Sequence, residues 1–217
     1  MFGSGITPAL IITRVVTLII AFTVHEFSHA FVADRLGDDT PRSQGRLTLN
    51  PIAHLDLVGS IMLLLVGFGW AKPVQINTYA VQRRSPAGVM WVSLAGPFSN
   101  LLMAILASLP LRFGWVPFSI GGNIIPSLYS FLFEFMSINL ILMLFNFIPV
   151  SPLDGEKIAI YFFPPPLDRI LERIHPYGAM ILMAIVFLGP MLGVNVMGWI
   201  MGTPMNNILR VLLGGLA

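Results

Sequence analysis

The sequence predicts an all-α polytopic membrane protein, with about five to six transmembrane segments and a short re-entrant or β-like segment around residues 57–78. Three observations carry this. Only 10% of the 217 residues are charged, against about 25% in soluble globular proteins. Hydrophobic residues make up 56% of the chain, and its mean hydropathy is +0.83. Uncharged runs at Ser85–Leu111, Phe113–Phe133, Phe135–Leu153 and Ile174–Leu209 match or exceed the roughly 20 residues that cross a bilayer as a helix. The net charge of +2 is scattered and forms no basic run, so no nucleic-acid binding is expected. With no cysteine, disulfides, thiol catalysis and thiolate metal sites are excluded. A cleaved signal peptide is not expected either, because no Lys or Arg precedes Arg14 and the first apolar stretch runs straight into ionisable residues.

Taken in order, Thr7–Ala33 reads as one long apolar helix, interrupted by Arg14 and by His25–His29 and closed by the charged stretch Asp34–Arg46. Leu57–Ala71 is short for a span and ends in Gly67, Phe68, Gly69 and Trp70, so a re-entrant or strand-like course fits it better than a helix. Pro73–Asn77 alternates weakly, as a strand leaving the membrane would. Gly88–Leu111 and about Asn123–Phe147 follow as spans, and Pro149, Pro152 and Gly155 break the second. Ile174–Leu209 would reach ~54 Å as one helix against a hydrocarbon core of ~30 Å, so Gly189-Pro190 or Gly202-Thr203-Pro204 must bend or split it. No internal repeat is present, and residues 1–217 read as a single membrane-embedded domain. Arg35, Arg42, Arg46, Lys72, Arg83, Arg84, Lys157, Arg169 and Arg173 all fall on one side if Leu57–Ala71 enters and leaves there; the positive-inside rule makes that side cytoplasmic.

His25-Glu26-Phe27-Ser28-His29 is an H-E-x-x-H sequence. Histidines four apart share a helical face and can share a zinc ion, while the glutamate, rotated about 100°, can reach water as general base. Ionisable groups in an intramembrane helix cost ~2.5–3.5 kcal/mol each and are functional by default. Zinc needs a third protein ligand. His54, Asp56, His175 and Asp154 are the candidates, and Asp154 stands out by its setting. It follows Asn146-Phe-Ile-Pro149-Val-Ser-Pro152-Leu, an apolar helix broken by prolines. Broken helices persist at membrane depth only where they line a cavity or are buried in protein.

With H-E-F-S-H in the first helix and N-F-I-P-V-S-P-L-D-G far downstream, the sequence resembles the site-2 protease family of intramembrane zinc metalloproteases. Ala95–Asn100 (A-G-P-F-S-N) and Gly67–Val74 (G-F-G-W-A-K-P-V) also resemble segments of its compact prokaryotic members, so the likeness covers about residues 20–160. The resemblance implies that His25, His29 and Asp154 bind one zinc per chain, that Glu26 is the catalytic acid/base, and that Asn146 points into the site. The chain is expected to depart from larger members in having no PDZ-like insert, no C-terminal nucleotide-sensing domain and no helix before the one bearing H-E-F-S-H.

The resulting functional expectation is a multi-pass cell-membrane endopeptidase, acting on transmembrane protein substrates within or near the bilayer. Its active site faces the cytoplasm and it releases a cytoplasmic fragment. Asn146 is the expected oxyanion donor, and Asn100 could serve the same end. A helical substrate must be unwound before cleavage, and an edge strand at Gly67–Ile76 could hold it by β-addition, which makes Gly67, Phe68, Gly69 and Trp70 substrate-binding candidates. His54 is a further candidate for substrate contact. Two rivals use the same residues: a metal-binding transporter or channel subunit, and a non-catalytic relative that retains membrane proteins. Finally, Arg14 and Glu134 lie ~16 and ~18 Å outward from the site on helices that converge there, so an ion pair between them is expected.

Overall fold

The computed structural model describes residues 7–56, 58–59, 69–119 and 121–214. Its elements are α1 (Pro8–Arg35), α2 (Thr78–Arg84), α3 (Gly88–Arg112), α4 (Leu128–Asn146), α5 (Asp154–Phe162), α6 (Leu167–Met191) and α7 (Val196–Leu213), with single turns at Thr40–Ser43 and Pro51–Ala53. The stretch α6 includes a 3-10 turn at His175–Tyr177 and a π turn at Ala184–Leu188. Ends are set by local chemistry. Thr7 caps α1 through Leu10 N–H, with Pro8 in the first turn. Ser127 caps α4 through Ser130 N–H, and α7 stops at Gly214, whose φ of 66° suits a residue without a Cβ.

By length and composition α1, α3, α4 and α6 can cross a membrane, which gives four spans among the described residues rather than the expected five to six. The long apolar run Ile174–Leu209 accounts for part of the difference. It breaks at Gly193, where φ is +76°, and its first half continues the helix that starts at Leu167.

Helix α3 is the hub, packed against α1, α4, α5 and α7. Without water to drive helices together inside a bilayer, close approach of small residues supplies the packing. Ala104, Ala107 and Leu111 of α3 meet Met136, Leu140 and Met143 of α4 and Leu209 and Leu213 of α7 in the main core cluster. On α1 the buried face follows one i, i+4 ridge: Ala9, Thr13, Thr17, Ala21, His25, His29 and Ala33. The two histidines are thus two teeth of the packing ridge itself, and the same geometry that seats α1 aims them inward. Farther out on α1 and α4, Arg14 Nη2 lies 3.6 Å from Glu134 Oε1, the pair expected from matched depths.

The β-like segment takes a different form. Gly67 and Phe68 lie outside the described residues. Gly69–Asn77 follows an irregular course, and among the described residues only the isolated antiparallel bridge Leu55–Ala71 is sheet-like. A ladder does not form because side chains take the backbone groups it would use. Asp38 accepts from Asn77 N–H at 2.7 Å, Arg46 donates to the Lys72 carbonyl at 3.3 Å, and Pro73 has no N–H.

Candidate metal centre

The ridge on α1 delivers His25 and His29 side by side, with their Nε2 atoms 3.0 Å apart. Asp154, opening α5, places Oδ2 3.3 Å from each. Donors held at 2.0–2.1 Å from a tetrahedral zinc stand roughly 3.3–3.4 Å from one another. Two imidazole nitrogens and one carboxylate oxygen in this triangle therefore fit zinc and leave a fourth position open. Among the described residues this is the one such group of three; the other candidate third ligands are engaged elsewhere. Asp56 accepts from Gly59 N–H, and His175 Nδ1 lies 2.8 Å from Glu156 Oε1.

The protonation of both histidines follows from their rear contacts. A backbone carbonyl can only accept, so His29 Nδ1 donates to Val92 O at 2.6 Å, and in the neutral ring Nε2 is then the lone pair open to a metal. Behind His25 the logic runs through two asparagines. Asn139 Nδ2 donates to Phe135 O (2.8 Å), so its Oδ1 accepts from Asn100 Nδ2 (2.9 Å); Asn100 Oδ1 then accepts from His25 Nδ1–H (2.6 Å). One carbonyl on α4 thereby orients two amides and one imidazole, and turns His25 Nε2 toward the site. Asn100 and Asn139 are fully buried. Gly96 completes the rear wall, because a Cβ there would stand 2.6 Å from His25 Nε2 and closer still to His29 Nε2.

Asp154 is held by its own turn. Gly155 lets the start of α5 press against the Phe147 backbone, where a Cβ would collide. Asp154 Oδ2 faces both imidazoles at 3.3 Å, where a cation shared with them favours the ionised carboxylate. It is therefore an anionic donor.

In front lies a cavity of about 120 Å³ bordered by Glu26, Val74, Asn146, Asp154 and Lys157 together with both histidines. Glu26 is buried and its Oε2 accepts from Val74 N–H at 3.0 Å. Asn146, last residue of α4, uses one amide hydrogen on the Leu142 carbonyl (2.9 Å) and keeps a second donor. Other sequence candidates sit elsewhere. Asn100 stands behind His25, not before it. His54 is fully buried with Nε2 2.7 Å from Thr48 O, and it is absent from the cavity wall, as are Gly69 and Trp70. What sequence reading missed is the support: Asn139, Gly96, the Val92 carbonyl and Val74 N–H. Two of these had a signal: Asn139 as a polar residue in the uncharged run Phe135–Leu153, and Gly96 as part of the A-G-P-F-S-N segment.

Over 201 residues the chain is 39% identical to "Putative zinc metalloprotease YwhC" of Bacillus subtilis, a match covering 91% of this chain and 89% of that one. The chain belongs to the site-2 protease family of zinc metalloproteases. Two proteins named "Putative zinc metalloprotease Rip2" are also similar to this family member. That of Mycolicibacterium smegmatis is 29% identical over 77% of this chain and 64% of its own. That of Mycobacterium tuberculosis is 28% identical over 85% and 68%. No protein-family model matches the chain, and no solved structure does.

Proposed function

We propose that this site-2 protease relative is an intramembrane zinc endopeptidase that hydrolyses membrane-anchored protein substrates near the cytoplasmic side of the bilayer and releases a cytoplasmic fragment. The observation that carries it is the junction of two chemistries in one cavity: a His-His-Asp donor triangle and a buried glutamate that belongs to no ligand group. A zinc ion in the triangle would supply Lewis-acid polarisation of the scissile carbonyl and acidify the attacking water. Glu26 takes the proton of that water and returns it to the leaving amine. The spare N–H of Asn146, on the cavity wall, would stabilise the carbonyl oxygen as it gains charge. The stretch Gly69–Asn77 borders the cavity through Pro73 and Val74 and would keep an unwound substrate extended beside Glu26. The cytoplasmic orientation rests on Arg35, Arg42, Arg46, Lys72, Arg83 and Arg84, which flank the helix ends nearest the site.

The test is Glu26→Gln in purified protein with a single-span substrate, with and without a chelator. Cleavage should fall by about 10²–10⁴-fold while metal content stays near one per chain. Normal metal with persistent cleavage would remove Glu26 from the mechanism. Chelator-sensitive metal transport without any cleavage would favour the transporter reading.

A further inference from the structure

A second concavity lies between α1 and α3 and shares no lining residue with the catalytic cavity. It measures about 670 Å³. On α1 it runs from Phe27 to Leu36 and on α3 from Trp91 to Leu102, ~14 and ~16 Å of helix rise. Half of a ~30 Å hydrocarbon core is ~15 Å, so the groove is one leaflet deep.

Its polarity is confined to one end. The two serines in its wall are spent on their own helices, Ser28 on the Val24 carbonyl and Ser99 on the Gly96 carbonyl, both at 2.7 Å. Phe27, Phe31, Leu94, Phe98 and Leu102 make the rest apolar. At the mouth stand Arg35, from the last turn of α1, and Trp91, from the first turn of α3. The nearest carboxylate in sequence, Asp34, is already held by Arg42 at 2.9 and 2.8 Å. Arg35 lies over the Phe31 ring, 4.9 Å from its centroid, and among the described residues it has no ion-pair partner.

We propose that this groove binds one anionic phospholipid, with the phosphate at Arg35 and the Trp91 indole N–H and an acyl chain along Phe31 and Phe98. The single cation at one end of a leaflet-deep apolar wall, without an ion-pair partner among the described residues, complements an amphiphile with one charged head. A protein helix, about 10 Å across with its side chains, is the rival occupant that the cross-linking arm tests. The site is independent of the proteolytic reading, since lipid retention is measured without turnover.

The experiment reconstitutes the full chain in nanodiscs of equal phosphatidylcholine and phosphatidylglycerol, extracts it and counts retained lipid by native mass spectrometry. One phosphatidylglycerol per chain should persist, and free inorganic phosphate should not displace it. Arg35→Gln should lower its retention about fivefold, whereas Arg83→Gln, an equally exposed arginine outside the groove, should leave it unchanged. Ala95→Phe, filling the groove, should remove it as well. Equal retention of the two lipids overturns the proposal, as does an equal loss in both arginine variants or displacement by phosphate alone. A photo-cross-linker at position 98 that captures a protein helix or a second copy instead of lipid overturns it too.

Discussion

The rear and front walls of the metal centre are built on opposite plans. Behind the histidines, three helices lock through buried side-chain hydrogen bonds that end on backbone carbonyls: His25 to Asn100 to Asn139 to Phe135 O, and His29 to Val92 O. In front, an irregular segment is tied down one backbone group at a time, by Asp38 at Asn77, Arg46 at Lys72 and Glu26 at Val74. The rear wall is interlocked, each buried bond holding the next across three helices. The front wall can open by releasing single bonds. Under the proposed function, metal holding falls to the rear and substrate handling to the front.

Glu26 is where the two walls meet, and its loss should have the largest effect. Glu26→Gln keeps the shape and a hydrogen-bonding oxygen but removes the base, so turnover should fall by about 10²–10⁴-fold with metal content intact. Rear-wall changes come next. Asn139→Leu leaves Asn100 without its acceptor and frees His25 to turn, so metal affinity should drop about 10–100-fold in a competition titration. Gly96→Ala should do the same by displacing both imidazoles. If either variant holds metal normally while losing only cleavage, the division between the walls is wrong.

Front-wall variants should act on substrate and spare the metal. Asp38→Asn weakens the tether at Asn77, and cleavage of a transmembrane substrate should fall several-fold more than that of a short unfolded peptide. Equal losses for both substrates would argue that the segment serves only the fold. The smallest effect belongs to a pair remote from both walls. Arg14 and Glu134 retain 35% and 28% side-chain exposure. Their coupling in an Arg14→Met, Glu134→Leu cycle should be about 0.6–1.7 kcal/mol, below the cost of breaking a fully buried pair. Additive single losses would show the two charges to be unrelated.

Much of this was legible in the chain. Composition and uncharged runs determined the membrane class, because burying charge in lipid is costly enough to empty spans of it. The spacing of His25 and His29 determined one face of a helix, with Glu26 about 100° away, because a helical period is a local property. Matched depths along α1 and α4 foretold the Arg14–Glu134 pair for the same reason. Asn100 and His54 were visible as unusual residues, but their partners were not. An amide can bond to substrate, helix or histidine, and only the crossing of α1, α3 and α4 settled on the histidine. Over its described part, Gly69–Ile76, the expected strand forms only the bridge at Ala71, since a ladder needs a neighbouring edge and the fold instead brought Asp38, Arg46 and Glu26 to this stretch. What tertiary structure alone decided was which polar groups meet across helices, because those contacts depend on the packing of distant residues and leave no periodic trace in any one segment.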